Sequence, residues 1–248
     1  MEAFEIVLLA VAAFSTSALT AVVGAGGGTA LIALMLLIMS PAAAIPAHGV
    51  VQLASNVTRS WLLRQHMAWP IIWRFALLLP FGVFLGLWLF QGLPAAVIQL
   101  LIGSFVLVTL ALPYLKQDHI KETPIWAFIP VGFCTGCLNM IVGVIAPVLG
   151  AIIVRQDLKK EEIVGTLGFF GLIGNLLKIA GFTAVGFSFA EYWLLLTVMV
   201  PAAILGARAG RILLAKLDER LFLIGFRLML GALALKLIAI DGLSAILA

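Results

Sequence analysis

The sequence predicts an all-α integral membrane protein, with about 8–10 transmembrane segments in two inverted five-segment repeats that contain interrupted or re-entrant helices. Three observations predict this fold class: the composition, the continuity of the apolar runs and an internal repeat. The 248 residues are 64% hydrophobic and only 10% charged, whereas soluble domains carry about 25% charged residues. The apolar runs are continuous and do not alternate, which favours helices over the strands of a membrane barrel.

Breaks and clusters of charge divide the chain into ten apolar segments. A helix needs roughly 20 apolar residues to cross a bilayer, so the short second and seventh segments predict half-helices or re-entrant pieces. Glu2 and Glu5 lie at the start of the first segment and no basic residue precedes it, which predicts a retained helix and not a cleaved signal peptide. The ten segments are 4–23, 25–39, 42–66, 71–90, 95–115, 125–139, 143–154, 161–187, 190–207 and 221–240.

The connections on one side of the predicted membrane contain the basic residues, whereas those on the other side contain acidic residues and no Lys or Arg. Because basic loops stay in the cytoplasm, we expect a multi-pass protein of the bacterial inner membrane with both termini on the outer side. This topology accounts for the net charge of +4, so we expect contact with membrane lipid and no nucleic-acid partner. The basic side carries Arg64, Arg74, Lys116, Lys121, Arg155, Lys159, Lys160, Arg208, Arg211, Lys216 and Arg220, with Arg59 nearby.

An internal repeat emerges when the sequence is shifted against itself by 119 residues. A shift of 128 then aligns 100–108 with 228–236, because the second half has a longer charged loop. We therefore predict a first repeat at 1–115, a cytoplasmic linker at 116–123 and a second repeat at 124–248, within one membrane domain. The matches include Gly24 with Gly143, Gly49 with Gly168, Asn56 with Asn175, and Arg59 with Lys178.

Each repeat holds five segments, an odd number, so the two halves are expected to insert with opposite orientation. Secondary transporters often follow this plan and bind their substrate between the repeats, near paired interrupted segments. The pair here is "GAGGG" at 24–28 and "NMIVGVIAP" at 139–147. Such breaks leave helix N-termini, whose positive dipole ends and free N–H groups bind anions. The predicted site residues in the breaks are Gly24, Gly26, Gly27, Gly28, Thr29, Asn139 and Gly143.

Polar residues also follow one face of the third segment, where His48, Gln52, Asn56 and Arg59 have helical spacing. The eighth segment repeats this pattern, because Asn175 is followed one turn later by Lys178 as Asn56 is followed by Arg59. Neither segment contains an acidic residue near these cations, so the pattern predicts an anion site made of all six residues. Two alternatives stay open: the cations snorkel to the lipid headgroups, and His48 is a packed polar residue and not a proton carrier.

These features resemble the TauE/SafE family of sulfite/organosulfonate exporter-like permeases. The resemblance rests on "VVGAGGGTALIALMLL", on a weaker echo in "MIVGVIAPVLGAII", and on the two five-segment halves. It implies transport of a small anion, sulfite or an organosulfonate, across the cytoplasmic membrane. From the two repeats we expect a secondary transporter that works by alternating access. The second half departs from the family pattern, because "GVIAP" replaces the glycine-rich form. The exact substrate, the direction, the coupling ion and the assembly state are left open, with a homodimer as the candidate assembly.

The main rival to a permease is a membrane enzyme. The apolar segments contain no acidic pair, HExxH motif or similar metal-ligating cluster, so we expect no enzyme activity, no catalytic residue, no metal and no cofactor. Cys134 and Cys137, the two cysteines of "CTGC", leave a thiol-redox protein as the alternative. A structural or assembly factor is the third class, and it predicts no stabilisation by a ligand.

Overall fold

A computed structural model describes residues 2–23, 26–111, 123–214 and 219–247 of the chain. The described residues form helices joined by short turns and contain no strand. A 3₁₀ turn precedes α6 at Ile125–Ala127 and another precedes α9 at Phe189–Tyr192, and a π-helical stretch, Leu237–Leu243, follows α10. The α-helices are α1 (Ala3–Val23), α2 (Gly27–Met35), α3 (Pro41–Leu62), α4 (Trp69–Gly92), α5 (Ala95–Ala111), α6 (Phe128–Ile141), α7 (Ala146–Ile153), α8 (Lys160–Ala184), α9 (Trp193–Leu214), α10 (Glu219–Lys236) and α11 (Ser244–Leu247).

The first ten helices follow the ten predicted segments in order, and the prediction of an all-α membrane protein is confirmed. The second and seventh segments form helices of nine and eight residues, which at 1.5 Å per residue are too short to cross a bilayer. Pro147 lies in the first turn of α7, where its missing N–H has no helical acceptor to lose. The predicted linker at 116–123 falls almost entirely outside the described residues.

Four of the described helices are long and apolar enough to span a membrane: α1, α4, α8, and α9 together with its preceding turn. The 22-residue helix α3 is long enough but is not among them. The polar side chains on one face of α3, from His48 to Arg59, lower the mean hydropathy of the helix. The outward face of α4 shows the opposite character, with Trp73, Phe84 and Trp88 exposed. Apolar side chains on an outer surface are suited to contact with lipid.

Helices from the two halves of the sequence pack against one another in reciprocal pairs. Helix α1 packs along α9, α4 packs along α6, and α3 packs along α8. The first helix of each half therefore contacts the fourth helix of the other half, and the third helices, α3 and α8, contact each other. This exchange is the pattern that a two-fold relation between the halves produces. The opposite orientation of the halves across a membrane stays a prediction.

Glycines bring these helix pairs into backbone contact. A methyl group on Gly82 of α4 would collide with the carbonyl oxygen of Phe133 on α6, and one on Gly132 of α6 would collide with the carbonyl oxygen of Phe75 on α4. The other pair follows the same plan, because Gly206 on α9 faces the carbonyl of Phe14 on α1. Small residues at such positions stabilise helix pairs in lipid, where close packing replaces the hydrophobic effect.

We expect Gly82→Ala to destabilise the protein, because the added methyl group forces α4 away from α6. Overpacking of this kind costs about 1–3 kcal/mol, and each kcal/mol shifts the unfolding midpoint by roughly 2–4 °C in a chain of this size. Gly92→Ala on the same helix is the matched control, since nothing lies within 4 Å of its added methyl group. Thermal unfolding of both variants in detergent measures the difference, and equal midpoints would contradict the proposed contact.

Candidate functional site

The two central helices, α3 and α8, position the polar side chains that the sequence analysis singled out. Each helix carries a glycine opposite the cation of the other. A methyl group on Gly49 of α3 would lie 3.0 Å from Cδ of Lys178, and one on Gly168 of α8 would lie 3.0 Å from Nε of Arg59. The two glycines are themselves 119 residues apart, as the two cations are. The repeat thus provides a matching space for each long basic side chain.

Both cations are buried inside the helix bundle. Arg59 is 5% exposed and Lys178 is 0% exposed. Arg59 donates from Nη2 to Oδ1 of Asn56 at 2.7 Å and from Nη1 to the carbonyl of Thr20 at 3.3 Å. Lys178 donates from Nζ to the carbonyl of Gly143 at 2.7 Å. Snorkelling requires a charged group that reaches the headgroups, so the burial of both side chains within the protein argues against that alternative.

A small cavity of about 30 Å³ lies between α3, α8 and the breaks before α2 and α7. This volume holds roughly two or three water molecules, or an ion of a few atoms. Its described lining contains the charged side chain of Arg59 and no acidic side chain. The predicted site residues that line it are Gly28, His48, Gln52, Asn56, Arg59, Asn139, Gly143 and Asn175.

The remaining predicted site residues lie around the cavity and do not line it. Lys178 does not line the cavity, but its Nζ donates a hydrogen bond to the carbonyl of Gly143, which does. Gly26 has a φ of 97°, a left-handed conformation that favours glycine, and it begins the turn into α2. Gly27 allows α2 to approach α1, because a methyl group there would collide with Thr16 and Thr20. Thr29 is buried in the first turn of α2. Gly24 lies outside the described residues.

The N-termini of both short helices reach the cavity. Gly28 in the first turn of α2 and Ile145 and Ala146 at the start of α7 belong to its lining. The first intrahelical bonds run from Ala30 to the carbonyl of Gly26 and from Leu149 to that of Ile145, so the preceding N–H groups have no acceptor within their own helices. Two positive dipole ends therefore add to the charge of Arg59. The electrostatics of the cavity favour an anion.

Three buried polar atoms on the cavity residues have no hydrogen-bond partner among the described residues: His48 Nδ1, Gln52 Nε2 and Asn175 Oδ1. His48 donates from Nε2 to the carbonyl of Gly28 at 3.0 Å, which leaves Nδ1 of the neutral ring as an acceptor. A buried polar atom without a partner costs roughly 1–3 kcal/mol. A bound ligand or ordered water that supplies these partners would lower the free energy of the site.

The structure adds lining residues that the sequence analysis missed, and Thr20 and Gly171 are the most informative. Thr20 lies 119 residues before Asn139, so the internal repeat contained the signal that would have found it. Gly171 gave no such signal, because it is one of several glycines on α8. A methyl group there would collide with Nδ2 of Asn56, so this glycine holds open the space beside that amide.

The two cysteines do not take part in this site. Both are free thiols, and neither lines the cavity. Cys134 is exposed on α6, and Cys137 is partly buried one turn later. No observation on the described residues favours the redox alternative, and they contain no group of three His, Cys, Asp or Glu side chains that could hold a metal ion.

One of the three comparisons with known proteins gave a match. No curated protein and no solved structure gave a significant match to the chain. The family model described as "Sulfite exporter TauE/SafE" matches residues 9–237, which include every described residue of the cavity lining. A multi-pass helical protein with a positively charged cavity at the meeting point of two broken helices fits a permease for anions. The chain belongs to the TauE/SafE family of sulfite exporters, whose members are membrane transporters and not enzymes.

Proposed function

We propose that the protein is a secondary transporter that moves a small sulfur oxyanion, sulfite or an organosulfonate, across the bacterial inner membrane. The observation that carries this proposal is the buried cavity whose described lining contains Arg59 and no acid. Asn56 and Gln52 would donate to the anion, Asn175 and His48 would also line its site, and Lys178 would add positive charge from behind Gly143. The proposed orientation places the basic loops in the cytoplasm and both termini outside.

Burial strengthens the attraction between the charge of Arg59 and an anion, because the dielectric constant is lower inside the protein than in water. Two opposite charges 4 Å apart attract by about 1 kcal/mol in bulk water and about 4 kcal/mol at the effective dielectric constant of a protein surface. Arg59 also orients Asn56, because the amide oxygen accepts from the guanidinium and the amino group must then point elsewhere. A hydrogen bond from this amino group to an anion is strengthened by the cation on its other side.

Alternating access is supported by the composition of the cavity wall. The first half of the sequence contributes Thr20, His48, Asn56 and Arg59 to the lining. The second half contributes Asn139, Gly143, Ile145, Gly171 and Asn175. A site divided between two halves opens to one side or the other when the halves rock against each other. We propose this rocking along the α3–α8 contact, where the two helices pack.

The size of the cavity favours the smaller substrates of the proposed class. About 30 Å³ suits an oxyanion of a few atoms better than a sulfonate with an organic chain. We therefore place sulfite ahead of taurine and sulfoacetate as the ligand of this cavity.

Sulfite is expected to stabilise the purified protein against heat. A ligand that binds only the folded state adds about 2.7 kcal/mol at a concentration 100 times its Kd. The measurement is a thermal-shift series in detergent with sulfite, sulfate, taurine, sulfoacetate and acetate, at constant ionic strength. No shift with any of these anions would reject an anion site and would favour a structural or assembly factor.

Arg59→Gln is expected to reduce sulfite uptake into proteoliposomes at least about tenfold, because hydrogen bonds to a charged group contribute about 1.5–3 kcal/mol. Arg64→Gln is the matched control. Arg64 lies two residues beyond the end of α3, is exposed, and stacks on Trp61 with its guanidinium carbon 4.8 Å from the ring centre. The proposal fails if Arg59→Gln keeps normal flux with a monodisperse elution profile.

Replacing both Cys134 and Cys137 by Ser is expected to leave sulfite flux unchanged, because neither thiol lines the cavity. Flux and thermal stability of the double variant, with and without a reducing agent, measure this. A loss of flux that follows the redox state of the wild type would instead support the thiol alternative.

A further inference from the structure

The two central asparagines differ in the direction of their side-chain amides, although the repeat relates them. Asn56 Oδ1 accepts from Arg59 Nη2 at 2.7 Å, so its amino group is the end that is directed away from this bond. Asn175 donates from Nδ2 to the carbonyl of Gly171 at 2.7 Å, so its oxygen is the end directed away. Both residues are 6% exposed and both line the cavity. The first half therefore offers a donor, and the second offers an acceptor.

The direction of the Asn175 amide is fixed by its partner. The Gly171 carbonyl only accepts hydrogen bonds, so a rotated amide would bring two oxygen atoms together. Asn175 Oδ1 has no partner among the described residues, and neither has Nδ1 of His48, which is an acceptor in the neutral ring. The cavity thus combines positive charge with two acceptors that lack a donor.

A fully ionised oxyanion satisfies only half of this arrangement. Its oxygen atoms accept from Asn56, from Gln52 and from the helix N-termini, but they repel the oxygen of Asn175. An anion that carries its own O–H or S–H group donates to Asn175 and is still attracted by Arg59. A site that hydrogen-bonds a hydroxyl group of its substrate rejects analogues that lack it far more strongly than an apolar pocket does.

We propose that the site selects an anion that bears a hydrogen-bond donor, namely hydrogen sulfite and not the sulfite dianion, and that Asn175 is the residue that distinguishes them. This inference rests on the proposed transport function and names the ionisation state of its substrate. Asn175 is a specificity residue, because it contacts the protonated group of the ligand and not its charge.

The test compares two monoanions, hydrogen sulfite and methanesulfonate, which share a charge of −1 and differ in the presence of a donor. Isothermal titration of the purified full-length protein is expected to give at least tenfold tighter binding of hydrogen sulfite at pH values where sulfite is mostly protonated. Above the ionisation of the ligand, the apparent affinity for sulfite should fall tenfold per pH unit, since the competent species becomes scarce.

Methanesulfonate stays ionised across this pH range, so its affinity reports on the protein alone. The titratable side chains around the cavity are His48 and Arg59 in its lining and Lys178 behind Gly143, and no acid belongs to the described lining. A constant affinity for methanesulfonate assigns the pH dependence of sulfite to the ligand. If the affinity for methanesulfonate falls with pH in parallel with that for sulfite, the pH dependence comes from titration of these side chains and the inference is wrong.

Asn175→Leu is expected to remove the preference, so that hydrogen sulfite and methanesulfonate bind with affinities within about threefold of each other. Thr183→Val is the control on the same helix, since Thr183 is exposed and donates only within α8. The wild-type pH series requires no variant, so the inference remains testable if Asn175→Leu does not fold. Equal binding of both monoanions to the wild type would overturn the selectivity and leave anion transport standing, whereas binding of neither would overturn both.

Discussion

The burial of two basic side chains between α3 and α8 is the constraint on which the rest of this structure depends. A charged group that is buried in protein loses its hydration, so the surrounding chain must provide space and polar contacts. Gly49 and Gly168 provide the space, each opposite the cation of the other helix. Asn56 and the carbonyl of Gly143 provide contacts. The proposed ligand adds the negative charge that the described lining does not contain.

The helix breaks follow from the same constraint. Interrupted backbone at membrane depth is tolerated where its polar groups are buried in protein and find partners. Lys178 binds the carbonyl of Gly143, and His48 binds the carbonyl of Gly28. Gly143 has a φ of 84°, so the second break relies on a left-handed glycine just as the first does at Gly26. The polar side chains of the site therefore also support the backbone that forms it.

The two halves are related but not chemically equal, and this difference suits a site for an asymmetric ligand. Arginine corresponds to lysine, and a threonine at 20 corresponds to an asparagine at 139. The N-cap residue of α2 is Gly26, whereas that of α7 is Ile145. A repeat of identical halves would present identical groups from both sides. The two central asparagines are identical, but their different partners, Arg59 for Asn56 and the Gly171 carbonyl for Asn175, leave a different end of each amide available.

The order of the helices, the two breaks and most of the cavity residues could be predicted from the sequence, because hydropathy, glycine and proline act locally and the 119-residue shift connects the halves. Helical spacing placed His48, Asn56 and Arg59 on one face, and the structure brings that face to Asn139 and Asn175. The sequence could not decide whether the cations reach the lipid, or which end of each asparagine is free. Those outcomes depend on contacts between distant parts of the chain, such as Gly168 with Arg59 and Gly171 with Asn56, and only the packing of α3 against α8 sets their geometry.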